Sequence, residues 1–261
     1  MSAVPSLSFA PAPGRAPFPS MVWSHARMET RLLVRNGEQL LLALVIPLLL
    51  LVGGAESGGV VNLGAGRRID VLTPGVLALA VMSTSFTSLA IATGFERRYG
   101  VLKRLGATPL TRGGLLLGKV VCLVLVEAVQ VALVAGAGVA LGWRPHAGPA
   151  DVGWALTLGL AGTAAFAALA LLMAGTLRAE ATLAAANLVY ILLLVAGAVV
   201  VPLSSYPSGM RDLATLLPSG ALAEGLRESL SGGSIEPLRL LVLVVWAVIG
   251  AAATMRVFRW E

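Results

Sequence analysis

The chain has 261 residues, of which 57% are hydrophobic and only 12% are charged. Soluble domains carry about 25% charged residues, so the composition excludes a water-soluble fold of this length. The net charge of +6 suits the positive-inside bias of a membrane protein, and no basic run with interleaved aromatic residues indicates a nucleic-acid partner.

The N-terminal stretch is predicted to hold a tail followed by an amphipathic helix. Residues 1–20 contain five prolines and no periodicity, so we expect a disordered cytoplasmic tail rather than a signal peptide. Residues 21–38 place Trp23 and three arginines among apolar side chains. This pattern is typical of a helix that lies in the cytoplasmic membrane interface, with arginines reaching lipid phosphates.

Two apolar runs follow and are predicted to be the first two membrane spans. Residues 39–55 hold 17 uncharged residues, short for a span, and Pro47 is expected to kink them. Residues 74–94 lack charges but are rich in hydroxyl groups. We favour hydrogen bonds from these hydroxyls to their own helix. The alternative is that some line a translocation path, with three as candidates: Ser83, Ser85 and Thr87.

The next stretch, FERRYGVLKRLGATPL, is the most charged segment between two long apolar runs. As a helix it would place Phe95, Tyr99 and Leu102 on one face, with the charged residues opposite. Gly106 and Pro109 predict its end. An ordinary basic loop that only sets topology is the other interpretation.

This stretch resembles the first cytoplasmic loop of ABC-2 type transporter permeases, where an E-R-E-x-G-T-L-K/R-x-L-x-x-(T/S)-P-like string joins spans two and three. Arg98 stands where the family often has an acid. The resemblance implies a coupling helix that docks a separate ATP-binding subunit, with the apolar face inserted in the partner and charge pairs fixing its orientation. The residues that match this role are Phe95, Glu96, Arg97, Tyr99, Gly100, Leu102, Lys103, Arg104 and Pro109.

The rest of the chain predicts four more spans, at residues 115–141, 152–177, 181–201 and 238–255. The outer segment 204–236 contains an amphipathic pattern after Pro218, which resembles the family's outer helices that dip into the membrane without crossing. With both termini inside, 13 of the 19 Lys and Arg residues fall on the inner side and six on the outer side. We therefore expect an all-α, six-span protein of the plasma membrane with cytoplasmic termini.

Polar residues inside the predicted spans are few. Glu127 is the only acid, at or beyond the bilayer midplane, where it is expected to be neutral and bonded to Gln130 or to hydroxyls of span two. One interpretation is a packing role and the other is a polar point on the substrate path, together with Gln130 and Asn187. His25 and His146 are expected to be solvated or interfacial, and no metal-ligand spacing is present.

Gly113, Gly118 and Lys119 resemble a phosphate-binding loop, but Val120 follows where Ser or Thr must hold magnesium. Gly114 and Gly118 suit helix packing instead. The resemblance implies an exporter permease for a lipid, drug-like or other amphiphilic substrate, working with a second permease copy or paralogue, with ATP and Mg bound only by the ATP-binding partner. A secondary transporter that uses Glu127 without ATP is the alternative. An integral membrane enzyme would need a cluster of His, Asp or Glu that the sequence lacks.

Overall fold

The computed structural model describes residues 14–35, 37–56, 67–233 and 236–258, and the regular elements in those ranges are helical. Helix α1 (Phe18–Arg35) begins before the predicted start at residue 21. Helix α2 (Gly37–Glu56) includes the first predicted span and contains Pro47. Most of the predicted tail, residues 1–13, lies outside the described residues.

The second predicted span lies within one continuous helix, Arg68–Arg98. It consists of α3 (Arg68–Met82), a π-helical segment (Ser83–Ser88) and α4 (Leu89–Arg98). Its most apolar window is 72% buried, more than any other described candidate span, so this helix lies at the centre of the fold.

Three further elements complete the first two-thirds of the fold: α5 (Val101–Gly106), α6 (Arg112–Ala140) and α7 (Pro149–Thr176). Thr111 caps the start of α6, because its side-chain oxygen accepts a hydrogen bond from the Gly114 N–H at 3.2 Å. Proline suits the first position of α7, where its missing N–H costs no hydrogen bond.

The fifth predicted span is shorter than expected. Helix α8 (Ala179–Ala196) ends before residue 201, because Ala198 adopts a left-handed φ of 53° and the chain turns back. Helix α9 (Ser208–Leu216) and helix α10 (Pro218–Leu230) follow, and α11 (Pro237–Val257) closes the described chain. Helix α10 has 13 residues, too few to cross a bilayer, yet it is almost entirely buried against α3, α7 and α11.

Five described helical stretches are long and apolar enough to cross a membrane. The described apolar part of α2, Leu44–Glu56, is shorter. The prediction of an all-α protein with multiple membrane-spanning helices is confirmed. The five stretches are Arg68–Arg98, Arg112–Ala140, Pro149–Thr176, Ala179–Ala196 and Pro237–Val257.

The core joins the central helix to α7 and α11. The rings of Phe86 and Phe166 meet edge to face with centroids 6.5 Å apart, and both side chains are buried. On the other side of α7, a Cβ on Gly250 would lie 3.0 Å from the Ala168 Cβ, and Thr254 donates to the Ala168 carbonyl at 3.1 Å. Small residues therefore let these helices approach closely, as is usual in lipid.

Candidate functional site

The charged stretch between the second and third spans forms two helices, so the prediction of one continuous helix from Phe95 is wrong, although the predicted stop at Gly106 is right. Residues Phe95 to Arg98 complete α4, and α5 starts at Val101 after a turn. Gly100 takes a left-handed φ of 69°, which glycine adopts without steric cost, and this residue ends the long helix. The exposed end of the stretch is therefore a short separate helix and the turn that follows it.

The predicted coupling residues point in two directions. Tyr99 is 62% exposed, whereas Leu102, predicted to share its outward face, is 3% exposed and buried within this chain. Phe95 stacks on Tyr99 with centroids 6.1 Å apart. The charged side chains Lys103 and Arg104 are exposed, as is Pro109 in the turn.

The predicted coupling charge Arg97 and its neighbour Arg98 make contacts within the chain. Arg97 donates to the Leu177 carbonyl, at the turn between α7 and α8. Its neighbour Arg98 pairs with Glu180 at the start of α8 and lies 5.8 Å from the Tyr99 ring centroid. The end of the second span is thus held directly to the turn between the fourth and fifth spans.

Glu96 belongs to a buried charge cluster that joins three helices. The Lys119 ammonium group on α6 lies 2.7 Å from the Glu96 carboxylate on α4 and 3.1 Å from the Glu29 carboxylate on α1. Lys119 is only 3% exposed. Two carboxylates against one ammonium group make this joint sensitive to any motion that separates the helices, because a buried charge without its partner is costly.

His25 packs beside this cluster and is buried, so the expectation of a solvated or interfacial histidine is wrong. Its Nε2 lies 3.5 Å from a Glu29 carboxylate oxygen. Burial lowers the pKa of His25, the Glu29 charge opposes this effect, and the Lys119 charge adds to it. The ring rests on Gly118, where a Cβ would approach the His25 Cδ2 to 2.5 Å.

Gly114, one turn earlier on α6, provides the second close approach. A Cβ there would lie 2.5 Å from Leu110 and 3.0 Å from the Phe18 ring. The G-x-x-x-G pair therefore packs α1 and the turn before α6 onto the start of α6, as the sequence predicted for these glycines.

Glu127 lies in a second polar cluster, deep between the central helix, α6 and α7. The Thr163 hydroxyl donates to its carboxylate at 2.5 Å. Gln130 accepts from Thr84 at 2.8 Å. The Ser85 hydroxyl of span two, one of the predicted candidates, also lies within hydrogen-bonding reach of the Glu127 carboxylate. The predicted hydrogen bonding is therefore right, and span four adds a partner, Thr163, that the prediction lacked.

The remaining candidate path residues do not share one surface. Ser85 is buried and donates to the Val81 carbonyl, and Ser83 donates to the Ala80 carbonyl, as the backbone interpretation predicted. Thr87 is half-buried, and its buried hydroxyl has no hydrogen-bond partner among the described residues. Asn187 is exposed on the outer face of α8, away from this group.

A buried arginine holds the turn between α8 and α10. Arg227 donates to the Val71 carbonyl at 3.2 Å and to the Ala198 carbonyl at 2.7 Å, and it also binds the Val199 carbonyl. Glu224 lies 2.7 Å from it on the same helix. The bonds to Ala198 and Val199 satisfy carbonyls beyond the end of α8 that have no helical partners, and the bond to Val71 joins them to α3.

Several of these residues escaped the sequence analysis. Lys119 was considered only within the rejected phosphate-binding motif and in the charge count, and Glu29 was not singled out among residues 21–38. Thr163 and Arg227 carry no local motif. One sequence signal could have found the charged residues among them. Burying a charged side chain inside or beside an apolar run is costly, so such a residue needs a partner from another helix. In the described residues no cluster of metal-ligating side chains occurs.

Comparison with known proteins supports one family. A sequence model described as ABC-2 type transporter matches residues 21–230, from the first turn of α1 to the end of α10. No curated protein matches the sequence.

Proposed function

Because this chain belongs to the ABC-2 type transporter family, we propose that it is the membrane-spanning permease subunit of an ATP-driven exporter of lipid-like or other amphiphilic molecules. ATP and Mg would bind to a separate ATP-binding subunit, and this chain would convert motion of that subunit into motion of its spans. One observation carries the proposal. An exposed basic helix between two spans directly follows the end of α4, where the charged side chains Glu96 and Arg97 contact other helices.

The exposed part of this region is suited to a soluble partner. Tyr99, Lys103 and Arg104 lie at the surface beside the Gly100 turn, so α5 and the turn before it present an aromatic ring and two positive charges. Complementary acidic groups on the ATP-binding subunit would orient it.

The buried part would carry the motion onward. A push on α5 acts on the end of α4, where Glu96 contacts Lys119 and Arg97 contacts the Leu177 carbonyl. The first contact leads to α1 and α6, and the second leads to the turn between α7 and α8. Motion of one short helix would therefore reach α1 and α6 by the first contact and α7 and α8 by the second.

The charge bias supports cytoplasmic termini in the plasma membrane, with α5 on the same side. A second permease copy or a paralogue would complete the path. The outer face of α8 supports that assembly, because it exposes Asn187 among apolar side chains such as Leu188 and Ile191. A polar amide facing lipid is costly unless another protein surface satisfies it.

The test is co-purification with the ATP-binding subunit. Reversing both charges, Lys103→Glu with Arg104→Glu, should lower the amount of bound ATP-binding subunit by at least about tenfold, since like charges across an interface cost several kcal/mol. The exposed Arg144, in the turn between α6 and α7, provides the control variant Arg144→Glu. Equal retention of the partner by both variants would overturn the docking site.

Glu127 distinguishes the ATP-dependent exporter from a secondary transporter. Glu127→Gln keeps the shape and can still accept the Thr163 hydrogen bond, but it removes the ionisable proton. Under the proposal, this variant assembles with the ATP-binding subunit and its transport stays ATP-dependent with an unchanged pH profile. Loss of a proton-driven flux in the absence of ATP would favour the secondary transporter.

A further inference from the structure

An apolar groove lies along α7 beside the central helix. It has a volume of about 390 Å³, within the several-hundred-Å³ range of small-molecule sites. Side chains of five elements line it, and most are only partly buried, so the groove opens at the surface. The residues used below are Phe86, Leu169, Met173, Leu177, Val189 and Trp246.

The groove extends from one membrane surface to the middle of the bilayer. From Leu169 to Leu177 it follows eight residues of chain, about 12 Å at 1.5 Å per residue. Phe86 lies twelve residues before Arg98, roughly 18 Å deeper along the continuous helix. A hydrocarbon core is about 30 Å thick, so the groove has the depth of a single leaflet.

The opening of the groove and the exposed outer face of α8 are different surfaces. Val189 and Leu193 face the groove, whereas Ile191, two residues from each and therefore on the other side of the helix, is 54% exposed. A second permease copy on the outer face would therefore leave the groove open to lipid.

The shallow end of the groove is positively charged. Arg97 binds the carbonyl of Leu177, which lines the groove, and the exposed Arg178 follows it in the chain. Arg98 is also nearby through its pair with Glu180. Three arginines and one glutamate leave an excess of positive charge where a headgroup of the adjoining leaflet would sit.

We propose that this groove binds one anionic phospholipid, with an acyl chain along Met173 and Val189 and the phosphate beside Arg97 and Arg178. The apolar lining matches an acyl chain, the depth matches one leaflet, and the charge matches a phosphate. The site requires neither transport nor an ATP-binding partner. Only its assignment to the inner leaflet rests on the proposed orientation.

The test uses Trp246, which lines the deep end and donates to the Leu216 carbonyl at 2.9 Å. The full chain is reconstituted in nanodiscs with phosphatidylglycerol or phosphatidylcholine brominated in the middle of the acyl chain. Bromine quenches tryptophan on contact, and subtracting the signal of Trp246→Phe isolates this residue. Brominated phosphatidylglycerol should quench Trp246 at a lower mole fraction than brominated phosphatidylcholine.

Two pairs of variants test the two ends of the groove. Arg178→Gln should raise the half-quenching fraction of phosphatidylglycerol about fivefold, the effect of one basic side chain at a headgroup. Arg144→Gln, at another exposed turn, should leave it unchanged. Val189→Phe should fill the groove and reduce quenching, whereas the matched Ile191→Phe, on the opposite face of α8, should not.

Equal quenching by the two lipids, with no effect of Arg178→Gln, would overturn the headgroup site. Quenching that Val189→Phe leaves intact would place the bromine outside the groove. Absence of quenching by either lipid would mean that protein covers the groove, for example a second copy of the chain, and would overturn the proposal. Arg178 is exposed, so the quenching measurement on Arg178→Gln remains informative if the Val189 variant fails to fold.

Discussion

Two buried cationic side chains, Lys119 and Arg227, have different structural roles in this protein. Lys119 is 3% exposed and is neutralised by carboxylates on two other helices, α1 and α4. Arg227 is 7% exposed and binds three backbone carbonyls together with Glu224 of its own helix. One cation joins separate helices near the exposed basic helix, and the other secures an irregular turn inside the fold.

The chemistry of the two side chains suits these roles. The arginine fork can hold several fixed carbonyls at once, whereas the lysine ammonium is a compact point charge on a flexible stem. Lys119 can therefore follow its carboxylates through a small displacement, while Arg227 is suited to one arrangement. The contrast predicts a static centre beside α10 and a deformable joint between α1, α4 and α6.

Removing Arg227 should have the largest effect. Arg227→Met leaves three carbonyls and Glu224 without their partner, and breaking a buried charge pair costs roughly 3–5 kcal/mol. We expect loss of monodisperse protein or a large fall in its thermal unfolding temperature in detergent. The control is Arg211→Met, because Arg211 also binds carbonyls but is exposed, so the loss should be about 1 kcal/mol or less. Equal losses of stability in the two variants would contradict the structural role of Arg227.

Removing Lys119 should come next, and it should be rescued by removing its partners. Lys119→Met leaves two buried carboxylates together and should destabilise the protein by roughly 3 kcal/mol. Adding Glu29→Gln and Glu96→Gln should recover most of that loss, because no buried charge then remains in the cluster. The exposed Lys103 provides the control Lys103→Met, with little effect. A triple variant no more stable than the single one would show that the charges are not coupled.

Gly118→Ala tests the packing of the joint rather than its charge. The added Cβ would lie 2.5 Å from the His25 ring, so we expect a loss of roughly 1–3 kcal/mol from overpacking. Gly113→Ala adds a methyl group where no atom lies within 4 Å, and it should be neutral or slightly stabilising. Thermal unfolding of the two variants, measured in parallel, checks the difference. The double variant Gly118→Ala with His25→Ala should be more stable than Gly118→Ala alone.

The smallest effect should be the pH dependence that His25 confers. Its folded-state pKa is below the usual 6.5 because of burial, so the unfolded chain takes up the proton first as the pH falls. The stability that neutral His25 contributes is present above about pH 6.5 and is lost as the pH falls through the folded-state pKa, by at most about 1.4 kcal/mol per pH unit. His25→Gln should remove this slope. His146→Gln should retain it, and a slope shared by the wild type and His25→Gln would assign it to another group.

The sequence by itself determined the fold class and the presence of several membrane-spanning helices. Low charge content and long apolar runs leave few alternatives to spanning helices, because the bilayer requires internal hydrogen bonding of every backbone group. The position of the basic stretch between two such runs, and the G-x-x-x-G packing on α6, were also predicted from local pattern. The roles assigned to the coupling residues and to the candidate path remain predictions.

Only the tertiary structure decided which polar groups meet. Thr163, which donates to Glu127, lies 36 residues away, and the partners of Lys119 lie 90 and 23 residues away. No local periodicity carries such pairings, because they depend on how helices are arranged around one another. The break at Gly100 also needed the structure, since glycine adopts either sign of φ and its neighbours continue a helical pattern on both sides. Tertiary contacts of Arg97 and Leu102 then left α5 and Tyr99 as the exposed end of this stretch.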